Sequence, residues 1–139
     1  MGTARFEQLA VALADRDRDV SKSLGSLRPA FEALRAGAQD WVESFVRAAR
    51  AHGGAHLTDV GVGPVEPDEK HIDCLQFKVA RGRWELTCVG KLRGVVTVVG
   101  PYRRGEPEKP CAEFPLPSAE AEAGLEDRLL ALLREASAR

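Results

Sequence analysis

The sequence predicts an α+β fold: N-terminal helices, an antiparallel meander of four or five strands, and a C-terminal helix packed on one sheet face. Three observations predict it. Residues 72–99 hold two glycine-containing turns flanked by alternating apolar residues. Residues 3–52 carry apolar residues at spacings of three and four. Residues 118–137 carry a second helical stripe behind a serine. Strands grouped between helices, rather than alternating with them, indicate α+β with helices on one sheet face. At 139 residues the chain reads as one domain, 1–139, with 3–52 helical, 56–116 sheet and 118–137 helix.

The N-terminal seam runs Phe6, Ala10, Leu13, Val20, Leu24, Leu27, Phe31, Leu34, Ala38, Trp41, Phe45 and Ala48, interrupted by Asp17. That is a heptad pattern. Two arrangements fit it. In the preferred one, Gly25 breaks the helix, Ser26 caps a second helix and Pro29 sits in its first turn. In the other, one long helix bends at Pro29. Gly53-Gly54 ends the helical region, with Arg47 and Arg50 suited to the negative helix terminus. Asp15-Arg16-Asp17-Arg18-Asp19 reads as a solvated, self-paired face.

Residues 56–66 alternate Thr58, Val60, Val62 and Pro64, which predicts an edge strand. Pro67-Asp68-Glu69 reads as a turn. The next turn is expected at Arg81-Gly82. It would pair Val79 with Trp84, Phe77 with Leu86 and Leu75 with Cys88 on an apolar face, and Lys78 with Glu85 on a polar one. Leu92-Arg93-Gly94 is expected as a three-residue loop, pairing Lys91 with Val95, Cys88 with Val98 and Trp84 with Tyr102. Residues 100–110, rich in proline and glycine, read as loop, and 111–116 as a last strand. Ser118 caps the final helix, whose stripe is Leu125, Leu129, Leu132, Leu133 and Ala136.

Net charge is −1, so no global field points to nucleic acid or to a membrane. No apolar run approaches the ~20 residues that span a bilayer, and no signal-peptide pattern opens the chain. A soluble cytoplasmic protein is expected. Cys74 and Cys88 fall on opposite sheet faces, which argues against a shared metal, and Cys111 stands apart. No metal, cofactor or catalytic residue is expected.

Three functional classes remain. The seam is longer than one small domain needs, so the leading expectation is a non-catalytic, self-associating protein–protein interaction module. Its partner would be a second copy, as a homodimer, or another protein, with Phe31, Leu34, Trp41 and Phe45 at the interface. The alternative is an anion- or nucleic-acid-binding domain. Arg81, Arg83, Arg103, Arg104 and Lys109 would converge at one end of the sheet beside Tyr102. The third is a small enzyme with a site at His56, Asp59 and His71, but no spacing ties these to a nucleophile.

Overall fold

A computed structural model describes residues 2–68, 71–116 and 118–137, with the side chains at 20–24, 68 and 71–73 outside the description. Element α1 is one uninterrupted helix, Ala4–Ala51. It is followed by a 3-10 turn at Ala55–Leu57 and by strands β1 (Val60–Val62), β2 (Glu66–Asp68), β3 (His71–Arg81), β4 (Trp84–Lys91), β5 (Val95–Arg103) and β6 (Cys111–Pro115). Helix α2, Ala119–Ser137, closes the chain. The sheet is antiparallel in the order β1-β3-β4-β5-β6, with β2 lying beside β1 along the same edge of β3. The fold is α+β.

The expected break at Gly25 is absent, and the single-helix alternative holds, with Pro29 inside α1. The carbonyl that Pro29 leaves unpaired belongs to Gly25. Both residues are exposed, so solvent can satisfy that group and the helix continues. Where the helix does stop, it uses glycine. Gly53 takes φ +77, its N–H donates to the Arg50 carbonyl, and the Gly54 N–H donates to the Ala49 carbonyl at 2.6 Å. This is a Schellman pairing, which caps carbonyls that a helix end orphans.

The β3–β4 turn falls at Gly82-Arg83, not Arg81-Gly82. Arg81 pairs with Trp84, Val79 with Leu86 and Phe77 with Cys88. The physical reason is the sign of φ. A turn on Arg81-Gly82 of the primed type would force positive φ on arginine. Gly82 at the first central position takes φ +59 at little cost. The shift is two residues, so every side chain keeps the face predicted for it. The second turn matches expectation, with Lys91 opposite Val95 and Cys88 opposite Val98. Further along, a bulge at Gly100-Pro101 advances β5 by one residue. Tyr102 therefore pairs with Glu85, and Arg103 takes the place opposite Trp84 that was expected for Tyr102. Pro67, expected in a turn, lies within β2, an edge strand where its missing N–H costs no ladder bond.

Both helices pack on one face of the sheet. Leu75, Phe77, Val79, Leu86, Cys88, Val96 and Val98 are each at most 1 % exposed. Phe31, Leu34, Ala38 and Val42 of α1 and Leu125, Leu129, Leu132 and Leu133 of α2 complete the core. Gly90 gives the Phe31 ring its place: a Cβ there would sit 2.8 Å from Phe31 Cδ1. Ser118 caps α2 by accepting the Ala121 N–H, as the sequence predicts. Arg35 ties α1 to the edge, donating to the carbonyls of Gly63 at 2.7 Å and Val62 at 3.1 Å.

Candidate interaction surface

The seam of α1 divides into two halves of different fate. At 1.5 Å per residue, a 48-residue helix is roughly 72 Å long. The longest strand, β3, has 11 residues and reaches only about 36 Å. One sheet cannot cover the whole helix. From Leu27 to Phe45 the seam is packed or half-packed: Phe31 and Ala38 are fully buried and Leu34 nearly so. From residue 2 to residue 19 every residue is exposed. Phe6 is 75 % exposed, Leu9 55 % and Leu13 47 %. At 3.6 residues per turn, these three fall on the same side of the one helix as Phe31, Leu34 and Ala38. The charges beside them are partly self-paired, with Arg18 3.1 Å from Asp15.

The four residues expected at an interface divide between the core and the surface. Phe31 and Leu34 belong to the domain's own core and face the sheet. Trp41 and Phe45 are half-buried and line an apolar groove of about 190 Å³ with Leu129, Leu130 and Leu133 of α2. The bare surface lies N-terminal to all four. Comparing the length of the seam with the reach of the strands was the signal for it.

The arginine end of the sheet is partly consumed by the fold. Arg81 is buried, not at the surface. It donates from Nε to Asp59 Oδ1 at 2.9 Å and from Nη1 to Ser137 Oγ at 2.6 Å, joining the approach to β1, the end of β3 and the end of α2. Arg104 donates to the Gly82 carbonyl at 2.7 Å and lies 3.4 Å from Glu85. Lys109 sits 4.5 Å above the Tyr102 ring. Arg83 and Arg103 are exposed beside them. Tyr102 is buried on the open sheet face. Its hydroxyl donates to Glu85 Oε2 at 3.1 Å and lies 2.8 Å from Thr87 Oγ1. Burial, and then the Glu85 charge, push the phenol above its ordinary value, while the Thr87 hydrogen bond opposes them.

The third set of residues is not assembled into a site among the described residues. His56 is exposed in the 3-10 turn. Asp59 is spent on Arg81, and the side chain of His71 lies outside those described. Cys74 and Cys88 are buried on opposite faces, and burial pushes the Cys88 thiol far up. Among the described residues, no group of three or more His, Cys, Asp or Glu is placed to hold a metal ion. No described helix is long and apolar enough to cross a membrane. No family model, curated protein or solved structure matches the chain.

Proposed function

We propose that this chain is a self-associating interaction module whose docking surface is the bare N-terminal half of α1. The observation that carries this is the single seam used twice. Its C-terminal half contributes to the core, and its N-terminal half presents Phe6, Leu9 and Leu13 on the same side of the helix, each exposed and with no core contact among the described residues. Isolated helices are marginal in water, and most helical stability in proteins comes from packing an apolar face. A helix arm that keeps an apolar seam is therefore suited to a helical partner. The arginine end of the sheet is a weaker candidate, because Arg81, Arg104 and Lys109 are already engaged.

Leu13→Asp tests this without touching the core, since Leu13 is exposed and far in sequence from Leu27. Light scattering on a size-exclusion column is expected to give a multiple of the chain mass for the parent. The variant is expected to give the single-chain mass, with its thermal transition for the sheet domain retained. A parent that runs as a single chain at high concentration would exclude self-association.

A further inference from the structure

We infer that two copies pair antiparallel through the bare halves of α1, around a two-fold axis at the level of Asp15, each N-terminus ending against the other copy's sheet domain. This rests on the self-association proposed above and specifies its geometry. Element α1 is one continuous helix, and from Leu27 to Phe45 its seam packs on its own domain. A partner lying parallel along the bare half would carry its own residues 27–51 into the volume of this copy's sheet. An antiparallel partner carries its domain away in the opposite direction.

Heptad layers related by a two-fold axis at residue 15 place Phe6 opposite position 24, Ala10 opposite position 20 and Leu13 opposite Asp17. Ala4, the first helical residue, then comes opposite Ser26 of the other copy. The next residue, Leu27, is the first described side chain of the seam to pack on the core. Among the described residues the arm is exposed from residue 2 to residue 19 and again at Gly25 and Ser26, so an overlap of positions 4–26 meets none of the described core contacts.

Between positions 4 and 26, Arg5, Arg16, Arg18 and Lys22 balance Glu7, Asp15, Asp17 and Asp19, so the arm does not repel a copy of itself. Asp17 occupies a seam position and Arg16 flanks it. Asp15 and Arg18 are paired with each other within one copy. A polar residue at a single seam position fixes register at some cost in stability, which is the role this places on Asp17.

Disulfide trapping tests the orientation. In the full chain with Cys111→Ser, which removes the exposed thiol, Ala10→Cys and Val20→Cys are made separately. Each is oxidised alone and as an equimolar mixture refolded together. The antiparallel pair predicts a bridged 10-to-20 dimer in the mixture, in about tenfold greater yield than either variant gives alone, because only the mixed pair raises the effective thiol concentration. Efficient self-bridging of Ala10→Cys alone would overturn the orientation, since parallel helices place like positions face to face. Light scattering before oxidation separates the two levels. Single-chain mass for both variants and the parent defeats self-association itself, whereas a dimer without the 10-to-20 bridge defeats only the antiparallel geometry.

Discussion

Thr97 shows how far single residues can be read. The β5 alternation predicts its side chain on the face away from the helices, and it points there. Its Oγ1 is nonetheless buried, with no hydrogen-bond partner among the described residues. Leaving a buried hydroxyl unsatisfied costs about 1–3 kcal/mol. Thr97→Val, of similar shape, is expected to raise the thermal midpoint by a few degrees in calorimetry, and a fall would contradict this. Tyr102 makes a pH prediction. Its folded pKa is raised, so its contribution is complete below the unfolded phenol value near 10 and is lost as pH rises through the folded value. Thermal midpoints between neutral and strongly alkaline pH should fall more steeply for the parent than for Tyr102→Phe. Parallel curves would show that this phenol is not linked to folding. Neither feature was legible beforehand. Tyr102 reaches Glu85 only because of the bulge at Gly100-Pro101, and Arg81 looks like a surface cation until Asp59 and Ser137 close around it.

Elements were more legible, because faces are set by periods of 2 and 3.6 that survive small errors of register. Moving the turn from Arg81-Gly82 to Gly82-Arg83 left Leu75, Phe77, Val79, Leu86 and Cys88 on the core side. The helix break was misjudged for a local reason. Propensity counts Gly25 and Pro29 as expensive, but both are exposed, and the seam runs in one phase through both. Pro29→Ala restores the missing hydrogen bond in α1. It should stabilise the protein by up to about 3 kcal/mol, read as a higher midpoint in urea. An unchanged or lower midpoint would show that Pro29 is required where it stands, as a bend that packing exploits.

At the scale of the whole molecule, the fold class followed from the order of helices and strands, while the surface followed from a mismatch of lengths. A helix of 48 residues crosses a sheet whose longest strand has 11. The four interface residues expected from the seam were sought in its most apolar part, and that part is where the domain's own core claims them: Phe31 and Leu34 outright, Trp41 and Phe45 in part. Apolar content alone cannot tell an interface from a core, because both bury the same side chains. Exposure of Phe6, Leu9 and Leu13 makes that distinction.

Amide hydrogen exchange on the full chain, followed across a wide range of protein concentration, tests this division of α1 most directly. Pairing with a second copy predicts that amides 8–19 become protected as concentration rises, while amides of β3, β4 and β5 stay protected throughout. Rapid exchange of 8–19 at every concentration, with the sheet still protected, would contradict the claim that this arm is a self-association surface.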